Sequence, residues 1–479
     1  MPLTLFDTMS RAARELTPID GQTLRFYCCG PTVYGPAHIG NFRTFVLQDL
    51  FRRVVELGGV PTRHVRNLTD VDDKTIRVSQ EQGQTLTDFT RHWTRQFHAD
   101  CAALHCLPPH VEPGAVDHIP QQVTMIQELM AKGHAYAAAD GSVYFKVASY
   151  PEYGRLSRLN ERELKLGTSV ADDEYEKDTL ADFALWKARK PEDGSNWWPA
   201  PWGEGRPGWH LECSAMIREY LGDTFDLHSG GVDLVFPHHE NEIAQSECCT
   251  ENHGFAAHWF HITHLLVDAK KMSKSLGNLY TLADLVARGF TPEEVRYVLT
   301  AAHYSGQLNF TFDSLEAARQ VLLRLARAER SLAARAFPDK NSGALPTQVE
   351  IPPPAYESLI RQDPGPFAAA WKALNHDLNT AEALGHVFTT LKSLKPEILN
   401  PEEALSAWRG LHLILTAFGI TFPEEKVEEI PVEIRTLAEA RWAARTAKNW
   451  AESDRLRREL DSLGWSMKDG REDYTLSRK

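Results

Sequence analysis

A chain of 479 residues, 42% of them hydrophobic, can bury several cores, so a catalytic domain with additions is expected rather than one compact unit. Its formal charge of −13 excludes a uniformly basic nucleic-acid binder, and any contact with RNA must run through local basic patches. No run is apolar enough to span a bilayer, the N-terminus lacks a secretory segment, and the seven cysteines are not spaced as a disulfide framework; a cytoplasmic protein with reduced or metal-ligating thiols is the expectation.

Residues before Thr23 form a lead-in. Leu24-Arg-Phe-Tyr-Cys-Cys29 reads as a buried strand, and Gly30, Pro31, Gly35 and Pro36 then turn the chain. Asn41 is the expected N-cap of a helix in which Phe42, Val46, Leu50 and Val54 recur every four residues until Gly58 stops it. Such a strand-turn-helix aims backbone N–H groups and a positive helix end at one point, which suits a phosphate. In that turn Gly40 permits close approach and His38 offers an imidazole to a phosphate oxygen. A strand over 60–65 leads into Arg66-Asn-Leu-Thr-Asp-Val-Asp-Asp-Lys74, at the strand end where open α/β sheets bind ligands. Residues 113–207 then interrupt the α/β pattern with one helix, short strand-like runs such as Gly141-Ser-Val-Tyr-Phe-Lys-Val147, and a closing stretch rich in Trp, Pro and Gly.

Ser229-Gly-Gly-Val-Asp233 has the small residues needed where backbone meets a base or ribose, or where it simply turns. Pro237 suits the first turn of a helix that puts His238 and Glu242 on one face, so that two side chains converge on one point. After Lys271-Met-Ser-Lys-Ser275, helices are expected over 282–296 and 313–335. The second opens with an Asp313/Glu316 capping box and packs through Leu315, Leu322, Leu323 and Leu325. Its Arg319, Arg324, Arg327 and Arg330 suit an RNA backbone and a solvated face equally. Stretches 338–354 and 421–431 read as linkers. Beyond them Arg435, Arg441, Arg445, Lys448, Arg455, Arg457 and Arg458 share a helical region with Trp442 and Trp450, a composition that fits base stacking and, equally, the core of amphipathic helices.

Taken together, His38-Ile-Gly-Asn41 and Lys271-Met-Ser-Lys-Ser275 resemble the two ATP-binding motifs of the class I aminoacyl-tRNA synthetases. Within that class, Cys29-Gly-Pro-Thr-Val-Tyr34, Gly208-Trp-His-Leu-Glu-Cys-Ser-Ala-Met216 and Phe236-Pro-His-His-Glu-Asn-Glu242 are similar to the cysteinyl-tRNA synthetase family, and His376-Asp-Leu-Asn-Thr-Ala-Glu-Ala-Leu384 resembles its helical-bundle motif. The resemblance runs nearly from end to end. It implies an α/β fold with a Rossmann-like class I catalytic domain in two halves, 1–112 and 208–265, split by a connective insertion, 113–207. A stem-contact region, 266–312, a tRNA-binding helical bundle, 313–425, and a small anticodon-binding module, 426–479, would follow.

The activity the resemblance implies is that of a monomeric cysteine–tRNA ligase. L-cysteine is activated with ATP and Mg2+ to cysteinyl-adenylate and transferred to the 3′ end of tRNA(Cys). His38, Lys271 and Lys274 are the implied catalytic residues, with His38, Gly40, Asn41, Gly230, Gly231, Asp233 and Lys274 around ATP. Cys29, Gly30, Thr69, Trp209 and His239 would hold cysteine, in a pocket also lined by His210 and His228. Cys29 and Cys213, expected on turns, would bind one zinc ion with His238 and Glu242, His238 being selected over His239. Zinc answers a selectivity problem, because serine differs from cysteine only by oxygen for sulfur and shape alone discriminates weakly. A metal that lowers the pKa of a bound thiol holds the soft thiolate, and an alcohol is a much poorer ligand.

Cys28 departs from the family, which usually has an apolar residue there; strand alternation turns it away from Cys29, so only one of the two reaches the metal. Two alternatives stand beside this reading. The cysteine ligase of mycothiol synthesis resembles the catalytic half but is disfavoured by the long region after Pro338. A zinc-stabilised RNA-binding protein is disfavoured by intact His38, Gly40, Lys271 and Lys274.

Overall fold

The computed structural model describes residues 2–159, 182–250, 254–273, 275–338, 354–422, 430–470 and 474–478. At its centre the strand Leu24–Cys28 lies in a wholly parallel sheet ordered Trp259–Ile262, Leu227–Gly231, Leu24–Cys28, Thr62–Arg66. Alternation along the strand feeds two cores. Phe26 and Cys28 pack with Leu47, Leu50, Phe51 and Val54, whereas Tyr27 and the following Cys29 pack with Leu211, Cys213, Ile217 and Ile243. Cys28 and Cys29 thus belong to opposite faces.

The helix Ile39–Leu57 crosses from the central strand to its neighbour and buries Phe42, Val46, Leu50 and Val54. Each such side chain contributes about 1.5–3 kcal/mol on burial. Its N-cap is His38, not Asn41. The His38 Nδ1 accepts the Asn41 N–H at 3.3 Å and the Asn41 Oδ1 accepts the His38 N–H at 3.1 Å, so Asn41 closes a capping box from the helix's third position. Gly58 is right-handed at φ −67°, and the chain leaves the helix through Gly59 at φ 88°. The strand expected over 60–65 runs Thr62–Arg66, because Pro61 has no N–H to give the ladder and joins only through its carbonyl, which accepts from Leu24.

The interruption at 113–207 contains the helix Ile119–Ala131 and a five-stranded antiparallel sheet ordered Ala135–Ala137, Val143–Phe145, Phe183–Ala188, Gly203–Pro207, Trp198–Ala200. The Trp, Pro and Gly stretch is therefore a hairpin within this sheet. The chain then returns through the helix Trp209–Leu221, the strand Leu227–Gly231, the helix His238–Thr250 and the strand Trp259–Ile262. Pro237, expected in the first helical turn, instead precedes the helix across a cis peptide bond.

The helix expected over 282–296 is two, Leu282–Ala287 and Pro292–Thr300, because Gly289 turns the chain at φ 87° and Thr291 caps a new helix with Glu294 and Pro292. The next helix, Phe312–Ala336, is boxed by Thr311 and Ser314 rather than by Asp313 and Glu316. Thr311 has the extended backbone a cap needs, and Asp313 already lies in the first turn. It buries Leu315, Leu322 and Leu325, while Leu323 is half-buried. Arg319 pairs with Glu294 at 2.6 Å and Arg324 lies over the Phe388 ring. Residues 339–353 and 423–429, most of the two expected linkers, lie outside the described residues.

The chain divides into two compact units, Met1–Phe422 and Pro423–Lys479. The second packs the helices Val432–Thr446 and Trp450–Ser462 with the antiparallel pair Trp465–Asp469 and Tyr474–Arg478 around Ile434, Ala438, Leu460, Trp465 and Met467. Arg441 and Arg445 both pair with Asp469, and Arg455 pairs with Glu452 and Glu459. Trp442 packs on Tyr474, and Trp450 is 58% exposed.

One buried charge network ties the first unit together. Arg296 reaches Asp49 at 2.5 Å, the Leu104 carbonyl at 2.6 Å and the Phe418 carbonyl at 2.6 Å; Arg53 joins Asp49 at 2.8 Å and the His105 carbonyl at 2.7 Å. Burial pushes the Asp49 carboxyl up, but Arg53 and Arg296 outweigh it and hold the group below the ordinary value of 3.8. Its stabilising share is therefore complete above that value and is lost as pH falls through the depressed folded value. Arg296→Met should lower the unfolding free energy by about 3–5 kcal/mol and flatten this acid-side loss, read from urea midpoints below and above pH 4. Unchanged midpoints would contradict it.

Candidate active site and metal centre

The site lies where the parallel strands end. Cys29, one residue past the central strand, donates its N–H to the Ser229 carbonyl at 3.1 Å. Cys213 is not on a turn, as expected, but within the helix Trp209–Leu221, whose buried face includes it and Leu211. His238 opens the helix His238–Thr250, and Glu242, one turn on, reaches its Nε2 through Oε1 at 2.9 Å. The ligand atoms of Cys29, Cys213, His238 and Glu242 lie within 4.8 Å of one another, and all four residues are buried. Donors about 2.0–2.3 Å from a tetrahedral zinc stand about 3.3–3.8 Å apart; Cys29 Sγ stands 3.8 Å from Glu242 Oε1 and the His238–Glu242 pair is tighter at 2.9 Å, so the donor types suit such an ion and the spacing needs a small shift to seat it.

The four groups shift one another's ionisation. Burial alone would push the His238 imidazolium down and the Glu242 carboxyl up. Instead Glu242 and Cys213 raise His238, while His228 and His238 hold Glu242 well below the usual range. Burial also raises the Cys213 thiol, yet the Cys29 and His238 side chains bring it below normal.

Histidines surround the cluster. A second set, Cys29, His228, His239 and Glu242, also meets within 4.8 Å, so proximity alone does not separate His238 from His239. Nor do their other partners, because each ring is held at both nitrogens. His239 is engaged at both ring nitrogens, by the Cys29 Sγ at 3.3 Å and His261 Nε2 at 2.8 Å, and His261 continues to Thr8. His228 Nε2 holds Glu242 Oε2 at 2.7 Å, leaving Oε1 towards His238, and His210 Nδ1 meets His238 Nδ1 at 3.0 Å. Trp209, 37% exposed, stacks on the His238 ring with centroids 4.5 Å apart. Gly230 is required here, since a Cβ would stand 2.9 Å from His239 Cε1. At Gly231 it would stand 2.4 Å from Asp233 Oδ1, and Asp233 itself is exposed.

Beside the cluster, Thr69 is buried against the turn after the central strand and donates its hydroxyl proton to Glu212, a residue that sequence patterns did not single out. Glu212 directly precedes Cys213, but nothing in the pattern marks a helical glutamate as buried. Gly30 leaves no room for a Cβ, which would overlap the Asn67 carbonyl.

The two expected ATP motifs meet. Ile39 donates its N–H to the Tyr280 carbonyl at 2.9 Å, His38 bridges Thr281, and a Cβ on Gly40 would lie 3.0 Å from Met272 Sδ. Lys271 is exposed on the short strand Lys270–Lys271, and its carbonyl accepts from the Asn278 side chain; Lys274 lies outside the described residues. Burial lowers the pKa of His38.

A parallel sheet flanked by helices, with two such motifs side by side at its strand ends, is the architecture of a class I aminoacyl-tRNA synthetase. The Mycobacterium tuberculosis methionyl-tRNA synthetase in complex with methionyl-adenylate shares the fold at a TM-score of 0.58 and 14% identity, over 83% of this chain and 89% of that one. The family model for the class I (C) tRNA synthetase catalytic domain matches residues 15–320. Cysteine–tRNA ligases of Opitutus terrae and Chlamydia muridarum are 52% and 42% identical to the chain, over 99% and 98% of both partners' lengths. The chain belongs to the cysteinyl-tRNA synthetase family.

Cys213→Ser should cut zinc affinity by more than the 10–100-fold typical of losing a partner one shell further out, read as metal retained after dialysis against a chelator. Zinc retained as tightly as in the unaltered chain would remove Cys213 from the ligand set.

Proposed function

We propose that the chain activates L-cysteine as its adenylate and passes it to tRNA(Cys), and that Cys29, Cys213, His238 and Glu242 hold the zinc ion that recognises the substrate. The observation that carries this reading is the buried crowding of two thiols, an imidazole and a carboxylate within 4.8 Å. When bound there, zinc supplies a soft Lewis acid that takes a thiolate in preference to an alcohol. The chain's own residues do the rest. Trp209 stacked on His238 shields the pocket from water, and His228 and His239 orient Glu242 and Cys29.

At the other end of the pocket the substrate carboxylate attacks the α-phosphate of ATP, a step that depends on positioning and charge stabilisation. Because His38 Nδ1 accepts the Asn41 N–H, the neutral ring carries its proton on Nε2, where it can donate to a phosphate oxygen. The N-terminus of the helix Ile39–Leu57 adds positive charge, and Gly40 lets the nucleotide approach. Lys271 and Lys274 are assigned to the departing pyrophosphate with Mg2+, Lys274 first, and Gly230, Gly231 and Asp233 to the adenosine. Lining of the cysteine by Gly30, Thr69, Trp209 and His239 belongs to the same proposal. So do the domain divisions given above, an anticodon-binding role for the second unit, a monomeric state and a cytoplasmic location. Among the described residues no helix is long and apolar enough to cross a membrane.

The zinc-loaded chain should catalyse cysteine-dependent exchange of pyrophosphate into ATP and discriminate strongly against serine. Removing zinc should collapse that preference towards the weak value that shape alone gives, on the order of 10–200-fold. No exchange with zinc and magnesium present would refute the activity, and a preference indifferent to zinc would refute the recognition scheme. Lys274→Ala should lower the exchange turnover by about 10²–10³-fold with cysteine KM little changed; an unchanged turnover would take the lysine out of its role.

A further inference from the structure

Glu212, Asn67, Thr69 and Gly30 form a directed hydrogen-bond chain beside the metal-type cluster. The Gly30 N–H donates to Asn67 Oδ1 at 2.7 Å, which fixes the Asn67 amide so that its Nδ2 faces Thr69 and donates to Oγ1 at 3.1 Å. The Thr69 hydroxyl in turn donates to Glu212 Oε1. Asn67, Thr69 and Glu212 are each at most 2% exposed, so water does not compete for these groups. The backbone is held as firmly. The Thr69 N–H donates to the Pro31 carbonyl and the Val33 N–H to the Thr69 carbonyl, both at 3.1 Å, which locks the threonine to the turn that follows Cys29.

A threonine hydroxyl has one proton and two acceptor sites. Here Glu212 Oε1, an acceptor whether the carboxyl is charged or carries a proton on Oε2, takes the threonine proton and Asn67 fills one acceptor site, so a single acceptor remains. Of the polar groups of an amino acid, the thiol is claimed by the cysteine-histidine-glutamate cluster and the carboxylate must face ATP. The ammonium is the group left with protons to give. We infer that Glu212 is a positioning residue for amino-acid recognition, acting with Asn67 to keep Thr69 an acceptor for the substrate's α-ammonium. This rests on the proposed reading that L-cysteine is the substrate. A glutamine at 212 can turn its amide N–H₂ towards Thr69, which sends the threonine proton into the pocket and sets a donor against the ammonium.

The test uses the full zinc-loaded chain and compares cysteine with 3-mercaptopropionate, which keeps thiol and carboxylate but lacks the amine. Glu212→Gln and Thr69→Val should each raise the cysteine KM in pyrophosphate exchange by about 10–100-fold, the range for losing a hydrogen bond to a charged group. Turnover should change less than about threefold, and inhibition by 3-mercaptopropionate should stay as in the unaltered chain. Thr69→Ser, which keeps the hydroxyl, should restore the cysteine KM. An unchanged cysteine KM in Glu212→Gln, or a loss shared equally by the amine-free analogue, overturns the inference. If Glu212→Gln does not fold, Glu212→Asp, with the carboxyl drawn back by one methylene, is read by the same two ligands. Absence of cysteine-dependent exchange in the unaltered chain overturns the substrate reading beneath it and is told apart from the other results by that control.

Discussion

Two thiols, an imidazole and a carboxylate packed together out of reach of water cannot all take their ordinary ionisation states. The structure relieves the conflict around Cys29, Cys213, His238 and Glu242 by raising Cys29 and His238 and lowering Glu242 and Cys213, so that the His238 imidazolium is held by the Glu242 and Cys213 side chains. Holding such a cluster requires elements that do not yield. Cys29 is fixed by the central strand of a parallel sheet, Cys213 and His238 by two helices packed on the same face of that sheet, and Glu242 by its place one turn beyond His238. The surrounding histidines complete the cage, with Glu242 held between His228 and His238 and Cys29 backed by His239.

The rest of the first unit ties the His38 turn to the segment that carries the lysine motif. The helix after His38 carries Asp49 and Arg53 into the charge network with Arg296, and carries Arg43 to the carbonyls of Thr263, Leu299, His303 and Gly306. The segment bearing the lysine motif is thus anchored to the helix that His38 caps. Tyr280 and Thr281, just beyond that motif, join Ile39 and His38.

Much of this was legible in the residues. The four-residue period from Phe42 to Val54 marked the first helix, alternation at Cys28 and Cys29 assigned them to opposite faces, and the i, i+4 spacing of His238 and Glu242 announced a convergent pair. Cap positions were harder. His38 can cap a helix, but its imidazole does so only when Asn41 answers from the third position, and a propensity for Asn at caps points to the wrong partner. The break between 282 and 296 turned on Gly289 at positive φ, which an apolar stripe running through it conceals. Glu212 was hidden for a different reason. A carboxylate in a helix reads as a solvated residue unless the partner that burial demands, here Thr69, is known from the fold. Arg441, Arg445 and Arg455 of the second unit were ambiguous in composition and pair in the structure with Asp469, Glu452 and Glu459.

The proposed role of the buried donor set is to bind a metal that recognises sulfur directly. Cobalt(II) in place of zinc gives each thiolate bond a charge-transfer absorption, so sulfur ligands can be counted optically. The cobalt-loaded chain should show the spectrum of two protein thiolates, gaining intensity from a third sulfur on adding L-cysteine and unchanged on adding L-serine. A cobalt spectrum indifferent to cysteine, or altered equally by serine, would contradict it.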